Sequence, residues 1–260
     1  IFLVSWVAFE LLKEHVPNVR VVAIAEQPAL HGQLRAAVPA SIRLVSTAEE
    51  LVSDKLDLVI ECAGHAALKA VGSIVLLAGV DLLVASVGAF ADGALDASLR
   101  HAAGISGAKI RIPSGALGGL DVLSAAKLAG LDSVAYVSSK APRSWRGTAA
   151  EQMVDLDQLT QPVVFYTGNA REAALQFPQN ANVAAAVALA GIGFEKTQVQ
   201  LTVDPAAVGN RHRIRASGGF GEIDVSILGK TLPENPKTSM LAPYSLIRSV
   251  ANLSGTLVVA

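Results

Sequence analysis

Leu56-Asp57-Leu58-Val59-Ile60-Glu61-Cys62-Ala63-Gly64-His65 is the stretch that decides the fold. Residues 56–60 form an apolar run of strand length, closed by an acid, a small-residue turn and a histidine. A helical stretch over residues 66–78 follows, then a second apolar run over 81–86 that breaks at Val87-Gly88-Ala89. Strand, helix and strand in about 30 residues make a βαβ unit. Both strands are apolar along their length, which suits parallel strands buried on both faces.

The alternation extends outward in both directions. Upstream, residues 1–4 read as a short buried strand, 6–15 as helix, 19–25 as a strand ending at Glu26, 30–37 as helix, 43–45 as strand and 48–55 as helix. Downstream, 95–103 read as helix and 109–112 as strand. The expected class is α/β, with a Rossmann-type dinucleotide-binding domain over residues 1–113 built on a parallel sheet with right-handed crossovers. In such sheets the ligand lies beyond the carboxyl ends of the strands. Gly64 and His65 after one strand, and Ser86 and Gly88 after the next, are therefore expected at a cofactor. Glu26 occupies the place from which an acid accepts hydrogen bonds from a ribose and repels a 2′-phosphate. That favours NAD, with NADP as the alternative.

One part of the pattern is missing. A glycine-rich turn should join the first strand to the first helix, where backbone N–H groups meet the pyrophosphate. Here Val4-Ser5-Trp6 joins them with no glycine and almost no turn, so either the first site is degenerate or, the favoured expectation, a loop is missing from the sequence at that junction.

Past Ile112 the texture changes. Pro113-Ser114-Gly115-Ala116-Leu117-Gly118-Gly119 is a small-residue loop ahead of a helix at 122–128. Strands are expected at 134–139, 163–167, 198–203, 211–217 and 222–228, with helices at 170–175 and 183–190. This is a mixed α+β catalytic and dimerisation domain over residues 114–236, with a mainly antiparallel sheet. Asn235-Pro236-Lys237-Thr238-Ser239 introduces a last helix, and 256–259 closes the chain as a strand, so residues 237–260 complete the first domain.

Two polar residues stand out there. In Asn210-Arg211-His212-Arg213-Ile214-Arg215-Ala216 the arginines share one strand face, and His212, Ile214 and Ala216 share the other. His212 thus points inward, as either a core histidine or a general acid/base, since histidine titrates nearest to neutral pH. Asn182 opens a helix, as either an N-cap or an amide orienting a cofactor.

Composition excludes other classes. The net charge is −1, which gives no electrostatic footprint for nucleic acid or an anionic membrane. Cys62 is the only cysteine, against an internal disulfide or a cysteine zinc site and in favour of a reducing, cytoplasmic compartment; no metal is expected. The apolar residues 1–12 carry neither a basic leader nor a small-residue cleavage site, against a signal peptide. Residues 71–91 are long enough to span a bilayer, but Asp81 at the middle and Gly79 and Gly88 favour helix, turn and buried strand.

Seven segments in order resemble the L-aspartate dehydrogenase family. They are Glu61-Cys62-Ala63-Gly64-His65, Ser86-Val87-Gly88-Ala89, Ser114-Gly115-Ala116-Leu117-Gly118, Trp145-Arg146-Gly147-Thr148-Ala149-Ala150-Glu151, Pro178-Gln179-Asn180-Ala181-Asn182-Val183-Ala184-Ala185, Asn210-Arg211-His212 and Asn235-Pro236-Lys237-Thr238-Ser239. The departure is the absent glycine-rich loop. The resemblance implies NAD(P)-dependent oxidative deamination of L-aspartate to iminosuccinate, which hydrolyses to oxaloacetate and ammonia. It also implies a supply of iminosuccinate to NAD biosynthesis, and a homodimer built through the second domain. Carried over residue by residue, His212 matches the family's active-site histidine, and Ala116 and Asn182 its cofactor contacts.

The chemistry agrees. Hydride transfer to a nicotinamide requires a neutral amine, so a base is useful. The two carboxylates of aspartate call for cations or N–H and O–H donors, and Lys140, Arg143, Arg146, Lys237 and Thr238 are the candidates. The competing readings are a dehydrogenase or reductase acting on homoserine or dihydrodipicolinate, and a non-catalytic dinucleotide sensor. The first explains the cofactor domain but not the Asn182 and His212 segments.

Overall fold

The computed structural model describes residues 2–178, 182–232 and 235–259. The chain opens with helix α1 (Phe2–His15), then strand β1 (Ala23–Ala25), α2 (His31–Ala37), β2 (Arg43–Val45) and α3 (Ala48–Val52). The deciding stretch follows as β3 (Leu58–Glu61), α4 (His65–Leu77) and β4 (Asp81–Val84), and α5 (Gly93–Ser106) and β5 (Ile110–Arg111) complete this part. β3, β4 and β5 pair in parallel in that order, and β1 pairs in parallel with β2. The crossover helices pack closely. A Cβ on Gly72 of α4 would come within 2.6 Å of Leu99 of α5, so the glycine sets how near the two helices lie. Leu68, Leu82 and Leu99, all fully buried, fill the space beside it. Each such leucine contributes roughly 1.5–3 kcal/mol.

The second part begins with α6 (Leu120–Leu128) and the long strand β6 (Leu131–Lys140). Then come β7 (Val163–Asn169), α7 (Ala170–Gln176), α8 (Asn182–Ala190), β8 (Gln198–Val203), β9 (Asn210–Gly218) and β10 (Gly221–Gly229). The five strands form one sheet in the order β10-β9-β6-β8-β7. Only β6 with β8 is parallel; the other three pairings are antiparallel, as the composition of the region implies. β9 alternates as read from the sequence, with His212, Ile214 and Ala216 buried and Arg211, Arg213 and Arg215 exposed. α8 lies over this face, and Ala184, Ala185, Ala186, Val187 and Ala188 are buried. Such small side chains let the helix approach closely without voids. A two-stranded ribbon of β11 (Thr231–Leu232) and β12 (Asn235–Ser239) leads into the last helix, α9 (Leu241–Ser254).

Three expectations are corrected. Residues 2–4 are not a strand: α1 runs unbroken from Phe2, and Ile1 lies outside the described residues. A short apolar run fits a buried helix as well as a strand. Here Ala8, Leu11, Leu12 and Val16 recur at helical spacing and pack with Leu246, Ile247 and Val250 of α9 and Leu83 of β4. The helix leaves no strand-to-helix junction at Val4-Ser5-Trp6. The second strand is shorter than residues 19–25, pairing only over Ala23–Ala25. Residues 256–259 form no strand. Their chain folds back along α9, where Asn252 Nδ2 donates to the Val259 carbonyl at 3.1 Å.

Candidate active site

A cavity of about 670 Å³ opens where the ends of several elements converge. The turns after β3 and β4, the loop after β5, the start of α8, the ends of β6 and β12 and the starts of β9 and α9 all border it.

The turns after β3 and β4 are held by Glu61, the last residue of β3 and almost fully buried. Its Oε1 accepts from the backbone N–H groups of Ala63 (2.8 Å) and Gly64 (2.9 Å) and from Ser86 Oγ (2.9 Å). Its Oε2 accepts from Ser86 N–H at 3.1 Å. One carboxylate thus fixes two loops that belong to different strands. Gly64, at φ +106°, makes the turn into α4, a conformation strained for any residue with a side chain. On the far side, Gly115 N–H donates to Ser245 Oγ of α9 at 2.9 Å, which ties the Ser114-Gly115-Ala116 loop in place.

His65, Gly88 and Asn182 meet at the wall. Asn182 Oδ1 accepts from Gly88 N–H at 2.8 Å, so this side chain links the two halves of the molecule. A Cβ on Gly88 would lie 2.8 Å from Asn182 Oδ1 and 3.0 Å from His65 Nε2, so a side chain there would displace one or both. His65 Nε2 is buried with no hydrogen-bond partner.

The opposite wall is the buried face of the large sheet. Along β6, Tyr136, Ser138 and Lys140 alternate inward, and Ser138 sits directly across from His212 of β9. Tyr136, fully buried, is hydrogen-bonded through its hydroxyl to His212 Nδ1 at 2.7 Å. Burial raises the Tyr136 pKa above the ordinary phenol value, so the hydroxyl keeps its proton. Lys140, 2% exposed, has its Nζ 5.1 Å from the Trp145 ring centroid, and burial lowers its pKa to about 8. His212, also 2% exposed, is lowered to about 3, first by burial and then by the Lys140 charge. Unliganded His212 is therefore a neutral imidazole at physiological pH, not a group titrating near neutrality. Asn210 stands two residues before His212 on the same face, with Nδ2 buried and unpartnered.

The structure brings Gly64, His65, Ser86, Ala116, Lys140, Asn182, His212 and Thr238 to one cavity, with Gly88 just behind its wall. Other candidates stand elsewhere. Arg143 is exposed outside the lining. Arg146 is exposed and paired with Asp157. Both fall in the turn after β6, where Ser144 and Trp145 take the buried places and leave the arginines outside. Glu26 follows β1, apart from this cavity, and its carboxylate accepts from Gln27 N–H at 2.9 Å. The Lys237 side chain and Gln179-Asn180-Ala181 lie outside the described residues. Sequence reasoning missed Glu61, Tyr136 and Asn210 as site residues. The period-two pattern through Tyr136, Ser138 and Lys140, matching that of Asn210 and His212, was the available signal for the last two.

The family model for the aspartate dehydrogenase C-terminal region matches residues 121–253, and that for the NAD-binding domain of homoserine dehydrogenase matches residues 5–113. An L-aspartate dehydrogenase of Acinetobacter baumannii is 46% identical over 220 residues, covering 85% of this chain and 83% of the relative. The chain belongs to the aspartate dehydrogenase family. A second family member, the L-aspartate dehydrogenase of Cupriavidus necator, is 42% identical over 243 residues, covering 94% of this chain and 91% of its own. The crystal structure of aspartate dehydrogenase from Thermotoga maritima superimposes with a TM-score of 0.71 at 27% identity, covering 93% of this chain and all of that one. Membership is thus carried by the second half as well as the cofactor domain. The homoserine-type resemblance stops at residue 113.

Proposed function

We propose that this chain oxidises L-aspartate to iminosuccinate, with NAD as hydride acceptor and NADP as the alternative. The observation that carries the reading is that His212, with Tyr136 bonded behind it, and Lys140 face the same cavity as His65 and Asn182. The residues fit a dinucleotide. The unpartnered buried His65 Nε2, in a wall built from the turns after two parallel strands, is a polar group of the kind a nicotinamide or its ribose uses. Ala116, Ser86 and Gly64 would line the same bed, and Glu26, at the end of a parallel strand, would meet the adenosine ribose. When bound, the nicotinamide supplies the hydride acceptor.

The chain's own residues bind and move protons. Lys140, mostly protonated at pH 7, attracts the dianionic substrate, and Thr238 adds a hydroxyl at the rim. The arriving carboxylates offset the Lys140 charge that depresses His212, which raises the basicity of the imidazole. His212 Nε2 then takes a proton from the substrate ammonium. For this, Nδ1 carries the hydrogen, and the Tyr136 oxygen accepts it. A hydroxyl can donate to or accept from Nδ1, so this contact serves the neutral and charged imidazole alike. Tyr136 is a positioning residue.

The wider reading follows the family: residues 1–113 with 237–260 as the cofactor domain, 114–236 as the catalytic domain, a homodimer through the latter, and iminosuccinate passed to NAD biosynthesis. The packing of α9 on α1 and β4 supports the return of the chain to the first domain. The single Cys62 suits a cytoplasmic enzyme. Among the described residues no helix is long and apolar enough to cross a membrane. The test is NADH oxidation with ammonia and a panel of keto acids. Oxaloacetate should exceed pyruvate and 2-oxoglutarate in kcat/KM, and a preference for either of the others would overturn the reading.

A further inference from the structure

We propose that Asn210 and Lys140 form the subsite for the distal carboxylate of the substrate, which makes Asn210 a specificity-determining residue. The inference rests on the aspartate reading above. Asn210 is 1% exposed and lines the cavity. Its Oδ1 accepts from Ser144 Oγ at 3.5 Å, which turns the amide NH₂ away from that contact. Its Nδ2 is buried with no partner. Buried donors are almost always satisfied, so a bare one in a cavity wall marks where a ligand acceptor sits.

The chemistry of that acceptor follows from the neighbours. Among the described residues, Lys140 is the only lysine or arginine lining the cavity, and the nearby His212 is neutral. A cation beside an amide NH₂ recognises an anionic oxygen. Spacing selects which carboxylate. Asn210 and His212 are two residues apart on one strand face, roughly 7 Å at the usual rise. With the amine at His212, the α-carboxylate is held close, because it shares the amine's carbon. The distal carboxylate, one carbon further, bridges the gap. A monocarboxylic amino acid would leave Nδ2 buried and unpaired, which is how a site rejects an analogue lacking a group it is built to bind.

The test uses Asn210→Ala and the near-isosteric Asn210→Asp, which replaces the donor with a like charge. Succinate, an inert dicarboxylate, is titrated into the NADH-loaded protein by calorimetry. Thermal melting and an NADH fluorescence titration are run on the same preparations. Succinate affinity should fall roughly 10- to 100-fold in Asn210→Ala, the worth of a hydrogen bond to an ionised group, and further in Asn210→Asp. KM for oxaloacetate should rise in parallel, with kcat within a few-fold and NADH affinity unchanged. If the alanine variant does not fold, the aspartate variant decides by the same titration. Succinate bound as tightly by the variants as by wild type would overturn the proposal. Asn210-dependent succinate binding in a wild-type protein that does not turn over oxaloacetate would sink the reaction and leave the dicarboxylate subsite standing.

Discussion

Replacing Tyr136 by phenylalanine removes one oxygen from a fully buried position and leaves the ring to fill the same space. The loss is the 2.7 Å contact with His212 Nδ1. With no other partner provided by the substitution, the buried Nδ1 becomes an orphan, at a cost of about 1–3 kcal/mol in stability. At about 2–4 °C per kcal/mol for a chain near this size, the melting temperature should fall by roughly 2–12 °C. The catalytic loss has a separate origin. Without the phenol oxygen, Nδ1–H loses the acceptor it has, so the tautomer with a basic Nε2 is disfavoured and the imidazolium loses its stabilising contact. A hydrogen bond to a charged group is worth about 1.5–3 kcal/mol. At about 1.36 kcal/mol per tenfold, kcat should drop roughly 10- to 150-fold. KM for aspartate should change little. The limb of the pH profile that reports the base should move to lower pH, because the imidazolium is the form that loses more. The assay is steady-state aspartate oxidation from pH 6 to about 10 beside a thermal melt. A lower melting temperature with unchanged kcat and pH profile would refute the positioning role and reduce Tyr136 to a core residue.

Two further outcomes follow from the site. Asn182→Ala removes the acceptor for Gly88 N–H; NADH affinity, read by fluorescence titration, should weaken several-fold while the protein stays folded, and unchanged affinity would show that the link is only structural. His212 has a folded pKa lowered to about 3, from an ordinary value of 6.5. Below pH 6.5 the unfolded chain therefore takes up a proton that the folded chain refuses. This contribution to stability is fully present above that pH and should be lost as the pH falls toward 3, at up to about 1.4 kcal/mol per pH unit. Urea melts from pH 7 to 5 should show a steeper loss for wild type than for His212→Gln; equal slopes would contradict the burial of a neutral histidine.

Much of this arrangement was legible in the residues. The run from Leu58 to Arg111 alternates strand and helix cleanly because its strands are short apolar runs and β3 and β4 each end at a small-residue turn. His212 could be placed inward because arginines flank it at period two, and the structure keeps that register. The helix from Trp6 to His15 was legible, but residues 2–4 were not, because so short an apolar run fits a buried strand as well as a helix; the helix they begin packs against α9, more than 200 residues away. Tyr136 and Asn210 were hidden for a similar reason. Their inward period-two places are in the sequence, but their roles come from the antiparallel pairing of β6 with β9, which sets Ser138 across from His212, and the choice of partner strand some 70 residues away leaves no local mark. The low basicity of His212 in the unliganded chain comes first from burial and then from the charge of Lys140, a neighbour in space that no spacing rule connects to it. Arg143 and Arg146 show the reverse error. Their charge matched the substrate, but in the turn after β6 Ser144 and Trp145 take the buried places and the arginines face out.

The central claim is that His212 handles the proton in aspartate oxidation, and the most direct test is the turnover of His212→Ala with aspartate and NAD, measured on protein whose fold and NADH affinity match wild type. The account predicts a kcat lower by roughly 10²- to 10⁴-fold, the usual worth of a general acid or base, with the corresponding limb of the pH profile gone. Activity within a few-fold of wild type, with the pH profile intact and the cost visible only in the melting temperature, would contradict it.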